Sequence, residues 1–272
     1  MTLDNLYPLR KCAGLFAGRD IFVRVDPGRG EGHHEHVKTA GAGSKFGVPV
    51  EELPLLAEIA AANGTRIVGL HAHVGSGIRT AGRWRETAIF LVEQAERHFP
   101  DARVLDLGGG LGVVERPGEQ EPLDLGAVGR NLASVKRAHP GYELWLEPGR
   151  YLVAEAGVLL ARVTQLKQKG DAAYVGIDAG MNSLVRPALY GAYHEIANLS
   201  RLSAPATLLA DVVGPICETG DVLGHARLLP STEEGDVMLI ATAGAYGRSM
   251  SSRYNLREPA EERVLRRSTR SS

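Results

Sequence analysis

Several protein classes are excluded by what this chain has little of. Among its 272 residues only Cys12 and Cys217 are cysteine. Two cysteines build no disulfide framework, and neither stands in a CxxC spacing for zinc or redox chemistry, so a reducing compartment is expected. The formal net charge is −1, which gives no overall field toward nucleic acid or an anionic membrane. No long apolar run is present. The best candidate, YLVAEAGVLLARV, is broken by Glu155 and is too short to span a bilayer. The opening residues, MTLDNLYPLRKC, show neither an apolar core nor a cleavage signal. With 44% apolar and 23% charged residues the composition is that of a globular protein, expected to be soluble and cytoplasmic.

The first half alternates strand and helix signals. IFVRVDPG (21–28), RIVGLHAHVG (66–75), ARVLDLGGG (102–110) and YELWLEPGR (142–150) read as strands that stop at turn residues. Between them VEELPLLAEIAAANG (50–64), RWRETAIFLVEQAERHF (83–99) and a stretch from Leu123 to His139 carry helical spacing. Strand alternating with helix predicts a parallel sheet with crossover helices. After Glu147-Pro148-Gly149-Arg150 the helical pattern fades. Short strand-like runs separated by Gly, Pro and Asp predict a mostly antiparallel β domain over about 155–255. A polar, basic tail (256–272) closes the chain.

Two glycine loops, HAHVGSG (71–77) and DLGGGLG (106–112), each follow an apolar strand. Turns of this kind expose N–H groups to anions, so a phosphate is the first expectation. DLGGGLG fails the dinucleotide spacing, because the third glycine of GxGxxG would fall at Val113, and ERPGEQEP follows instead of a helix. A tight structural turn and a non-dinucleotide phosphate loop both remain open. His71 and His73 share a strand face before Gly75-Ser76-Gly77, and an imidazole there could stack on a planar ring. Glu147 and Arg150 end the fourth strand, where a β/α barrel carries its functional groups, or they form a mutual surface ion pair. GHHEH (32–36) looks like a metal cluster but has no rigid element to fix its ligands, so no metal site is expected. Cys217, beside Glu218 and Asp221 in a turn, is either inert or a proton donor.

SKFG (44–47), HAHVGSG, DLGGGLG, EPGRYLVAEAG, MNSLVRPALYGAYH, GPICETGD and GAYGRSMSSRYN occur in that order, and together resemble the fold-type III decarboxylases that use pyridoxal 5′-phosphate. RPALYGAYH and GPICETGD are most similar to the branch acting on diaminopimelate, ahead of those acting on ornithine or arginine. The resemblance implies a TIM-type β/α barrel followed by an antiparallel β domain, and lysine production by decarboxylation of meso-2,6-diaminopimelate. It implies that His73 stacks on the cofactor ring, that Ser76, Gly108, Gly109 and Gly110 hold the phosphate, and that Glu147 pairs with the ring nitrogen. Arg150, Arg186, Tyr190, Glu218 and Tyr246 would bind substrate, with Arg150 and Tyr246 also touching cofactor, and Cys217 would reprotonate the product carbon. In the family the β-domain set serves the partner subunit's site, so a homodimer is implied.

One departure stands out. The family forms its Schiff base with a lysine in a YAVKAN-like segment upstream of SKFG. The lysines here are Lys11, Lys38, Lys45, Lys136, Lys167 and Lys169, none in such a segment. Only four strands precede the β domain, so a half barrel, 1–154, is expected, inactive without its other half. The other readings are a decarboxylase of carboxynorspermidine or a basic amino acid, and a non-catalytic remnant that modulates a full-length homologue.

Overall fold

The computed structural model describes residues 1–28, 31–32 and 44–265, so His33, His34 and His36 of the GHHEH run lie outside the described residues. The chain divides into two compact units. The first comprises 1–114 and 120–151, the second 115–119 and 152–272. The short return of 115–119 to the second unit left no mark in the sequence pattern.

The first unit is built on a parallel sheet of β1 (Thr2–Leu3), β2 (Asp20–Asp26), β3 (Val48–Pro49), β4 (Arg66–His71), β5 (Val104–Asp106) and β6 (Glu143–Trp145). Its order is β1-β2-β4-β5-β6, with β3 also on β2, and every pairing is parallel. The four strands legible in the sequence are here. β1 and β3, two residues each, are too short to show a period.

Helices α1 (Leu53–Ala62), α2 (Arg83–His98) and α3 (Leu125–Ala138) connect them. α1 starts with proline in its first turn and stops at Asn63-Gly64, where Gly64 takes φ +64°. Asp124 caps α3, its carboxylate accepting the Ala127 N–H at 2.9 Å, a contact worth about 1 kcal/mol. α2 buries Trp84, Ala88, Leu91, Val92 and Ala95 on one stripe, the face its spacing predicted.

The second unit holds a six-stranded sheet of β7 (Leu159–Lys169), β8 (Ala172–Ile177), β9 (Ile196–Asn198), β10 (Ala206–Val213), β11 (Val222–Pro230) and β12 (Val237–Ile240), in the order β9-β12-β7-β8-β10-β11. Four of its five pairings are antiparallel, and β8 with β10 is parallel. A short helix, α4 (Arg186–Tyr190), ends at Gly191 in the left-handed region. Beyond the sheet, Asn182 donates to the Arg257 and Glu258 carbonyls and the Ala260 N–H donates to Ser183 Oγ. The polar tail beginning at 256 is therefore tied to this unit as far as Ala260. No helix among the described residues is long and apolar enough to cross a membrane.

Candidate cofactor and substrate sites

In the first unit the two glycine loops are stitched together. The Ile78 N–H donates to the Gly110 carbonyl, and the Gly112 N–H returns to the Ile78 carbonyl, both at 2.8 Å. Such an approach needs glycine. A Cβ on Gly110 (φ +87°) would lie 2.4 Å from the Gly75 carbonyl oxygen, and one on Gly109 only 2.2 Å from that of Glu147. Glycine here lets backbone pack directly on backbone. The Gly108 N–H donates to Asp106 at 3.0 Å and the Gly109 N–H to His73 Nδ1 at 3.1 Å. Those two amides serve the loop's own shape. Among the described residues it is the Gly110 amide that has no such partner.

His73 lies just past the end of β4. Because Nδ1 accepts from Gly109, the proton of the neutral ring sits on Nε2. Burial, helped by the positive charge of Arg24, lowers the His73 pKa from 6.5 to about 4, so the ring is neutral at physiological pH. This has a sign. A pKa depressed in the folded state contributes stability that is complete above pH 6.5 and is lost as pH falls toward 4, at about 1.4 kcal/mol per pH unit. Denaturant midpoints measured between pH 7.5 and 4.5 should show that slope, and His73→Gln, which can still accept from Gly109, should flatten it.

Beside His73, register pairs His71 with Asp106 across β4 and β5, and Asp106 with Trp145 across β5 and β6. Glu147 follows β6 and places Oε2 3.4 Å from His71 Nε2. That approach lacks hydrogen-bond alignment, and both His71 nitrogens are buried without a hydrogen-bond partner among the described residues. Burial also lowers the His71 pKa, outweighing the opposite pull of Asp106 and Glu147, so the pair is not an ion pair at neutral pH. Glu147 itself is 56% exposed and open to a ligand. Arg150 is half-buried in the short helix Gly149–Val153. Arg24, which stacks on Phe46 at 4.5 Å, and Trp84, whose indole N–H donates to the Gly109 carbonyl, were not legible in the sequence as site residues. Neither belongs to a motif. Asp106 did carry a signal, as an acid directly before glycines in an apolar strand.

In the second unit the GPICETGD turn is pinned by Asp221, 2% exposed. Its carboxylate accepts from Ile216 N–H at 2.7 Å and Met181 N–H at 2.5 Å. Asn182, next along, holds the chain at Ser252, Arg257 and Glu258. One segment, 180–182, thereby fastens two loops, and the Tyr254 hydroxyl donates to Glu218 between them. Cys217 and Glu218 are both exposed. Tyr246 is half exposed and held at φ +65°, a conformation uncommon outside glycine. Tyr190 ends α4, half-buried. Arg186 is placed differently from a group waiting for substrate. It is 3% exposed, 2.9 Å from His194 Nε2 and 3.3 Å from Glu115. The structure thus joins Cys217 to Glu218 and Tyr254, and gives Arg186 an internal carboxylate.

A parallel β/α unit with closely packed glycine loops and a carboxylate-imidazole cluster at the ends of its strands defines a class, and comparison identifies it. Residues 1–154 match the pyridoxal binding domain of the pyridoxal-dependent decarboxylases, and the chain belongs to that family. Within it, the chain is 42% identical over 256 residues to the diaminopimelate decarboxylase of Methanothermobacter thermautotrophicus, covering 90% of this chain and 59% of that protein. Among solved structures it resembles the Helicobacter pylori diaminopimelate decarboxylase complexed with L-lysine (TM-score 0.84, 30% identity, 93% of this chain, 64% of that one). It also resembles the lysine decarboxylase of Selenomonas ruminantium (TM-score 0.80, 25% identity, 95% and 66%). The chain spans about three fifths of the length of the curated relatives it matches.

Proposed function

We propose that this chain provides half of a β/α barrel and the β domain of a pyridoxal-phosphate decarboxylase that converts meso-2,6-diaminopimelate to L-lysine, as a cytoplasmic homodimer. The observation that carries it is the pair of stitched glycine loops beside His73 and Glu147, in a chain whose relatives are named for that reaction. The residues fit the cofactor. The amide of Gly110, packed against Gly75 and so beside Ser76, would hold the phosphate, and Arg150 would add a charge to it. Neutral His73 offers a ring face, and accessible Glu147 offers a carboxylate to a pyridinium N–H.

When bound, the cofactor is an electron sink for the carbanion left by loss of CO₂. The protein's own groups do the rest. Glu147 holds a proton at the ring nitrogen, which keeps the sink deep. Glu218, oriented by Tyr254, accepts the distal ammonium of a substrate carrying two amino-acid heads. Cys217, exposed beside it, delivers a proton to the carbon that lost CO₂. Tyr246 and Tyr190 would add contacts to the substrate. Arg186 would meet a substrate carboxylate by exchanging it for Glu115. Cys217, Glu218 and Tyr246 would act in the partner subunit's site.

A second reading, a non-catalytic modulator, is favoured by the lysine set. Lys136 donates to the Pro140 and Tyr142 carbonyls, Lys11 is exposed on a short helix, and Lys167 and Lys169 lie exposed on β7. Lys38 lies outside the described residues, and Lys45 stands over the Phe46 ring that Arg24 also covers. The chain alone should therefore bind pyridoxal phosphate without a stable covalent bond. Borohydride reduction followed by peptide mass spectrometry should find no stoichiometric lysine adduct. One on Lys45 with release of CO₂ from diaminopimelate would make the chain self-sufficient. Failure of pyridoxal phosphate to quench Trp84 and Trp145 fluorescence would remove the cofactor assignment.

A further inference from the structure

His71, Asp106 and Glu147 form a cluster of a second kind. One ligand atom from each, an imidazole nitrogen and two carboxylate oxygens, lies within 4.8 Å of the others. The separation of His71 Nε2 from Glu147 Oε2, 3.4 Å, is about the edge of a tetrahedron with metal–ligand bonds of about 2.1 Å. Two members are fixed by the sheet: His71 and Asp106 are register partners on adjacent strands, and the Ala72 N–H donates to the Asp106 carbonyl at 2.9 Å. Asp106 keeps an oxygen to spare, because Gly108 engages only Oδ1.

The His71 ring points independently to a ligand. Its side chain is 9% exposed, both nitrogens lack a hydrogen-bond partner among the described residues, and one faces the Glu147 carboxylate. A buried imidazole with neither nitrogen satisfied costs desolvation free energy that a bound cation would offset. The cluster also brings two carboxylates together, with Arg24 stacked on Phe46 as the guanidinium whose charge reaches it. A dication answers both features.

We propose that, without cofactor, His71, Asp106 and Glu147 bind one divalent cation of the zinc–cobalt class, water completing its coordination. Mixed imidazole and carboxylate ligands suit that class better than magnesium or calcium. Only one further consequence rests on the cofactor reading above. Because Glu147 cannot serve a metal and a ring nitrogen together, pyridoxal phosphate and the cation exclude each other.

The probe is Co²⁺, titrated into the full chain and followed by its visible d–d absorption. One equivalent should bind, and His71→Ala and Asp106→Asn should each weaken it by on the order of 100-fold, about 2.7 kcal/mol. The two variants differ in what they leave behind, so loss of fold in one, read by circular dichroism, leaves the other decisive. Replacing His33, His34 and His36 with alanine, and both cysteines with serine, should leave the spectrum unchanged. A spectrum that follows those residues, or that survives both cluster variants, overturns the assignment. Added pyridoxal phosphate should expel the cobalt stoichiometrically. If cobalt binds through the cluster and pyridoxal phosphate fails to displace it, the metal site stands and the placement of the cofactor falls. If pyridoxal phosphate binds and cobalt does not, the reverse holds.

Discussion

Glu218→Gln, in an enzyme completed by the N-terminal half-barrel of a relative, should lower kcat/KM for diaminopimelate by on the order of 100-fold or more. The amide keeps the shape but cannot balance a distal ammonium, and it weakens the acceptor that now takes the Tyr254 hydroxyl. Cofactor absorbance should not change, since Glu218 belongs to the second unit and the glycine loops to the first. Cys217→Ala should separate the two roles. KM should hold while kcat falls, because substrate still binds and only the return of a proton is slowed. Steady-state kinetics on both variants, with ornithine as competing substrate, provide the check. Normal kinetics for Glu218→Gln, or equal turnover of ornithine, would move the substrate assignment to another member of the family.

Gly109→Ala should be the most damaging small substitution in the first unit. Its Cβ would stand 2.2 Å from the Glu147 carbonyl oxygen, and that backbone cannot yield cheaply, since the Glu147 N–H is bonded to the Gly108 carbonyl at 2.9 Å. Relief of such an overlap should cost about 3 kcal/mol or more and carry Glu147 away from His71. The same change at Gly129, inside α3 with nothing within 4 Å, should stabilise by about 0.5–1 kcal/mol, because alanine is the better helix former. Urea denaturation of the two variants should therefore give shifts of opposite sign. Equal shifts would mean that the loops are not stitched in solution as described.

Legibility in the sequence followed periodicity and motif. β2, β4, β5 and β6 were visible because apolar runs end in Gly or Pro, and α2 because its stripe runs for sixteen residues. Two-residue strands have no period to read, and β9, three residues long, was missed for the same reason. The single parallel pairing of β8 with β10 is a choice of neighbour that no local pattern encodes. At the candidate sites, residues inside motifs could be named from the sequence and residues that support them could not. Trp84, Arg24 and Asn182 act across 22 or more positions of sequence, and only the fold brings them to Gly109, Phe46 and Arg257. Arg186 shows the opposite limit. Its motif predicted a group aimed at substrate, and Glu115, a partner 71 residues away, could not be foreseen.

The turn that carries Cys217 and Glu218 is anchored in the fold at its feet, and its tip is tied through the Tyr254 hydroxyl on Glu218. Ile216 and Asp221 are buried and bonded, whereas residues 217–220 between them are exposed and take no part in the sheet. Such a tip can be rewritten without repaying the cost in stability that core changes incur. Selection could trade the acid at 218 for a shorter, longer or neutral group and retune which distal head is accepted, while Asp221 keeps the loop in place. Diversification of substrate choice on this scaffold should then concentrate in four consecutive positions, and libraries confined to 217–220 should yield folded protein far more often than libraries of the same size placed at 180–182.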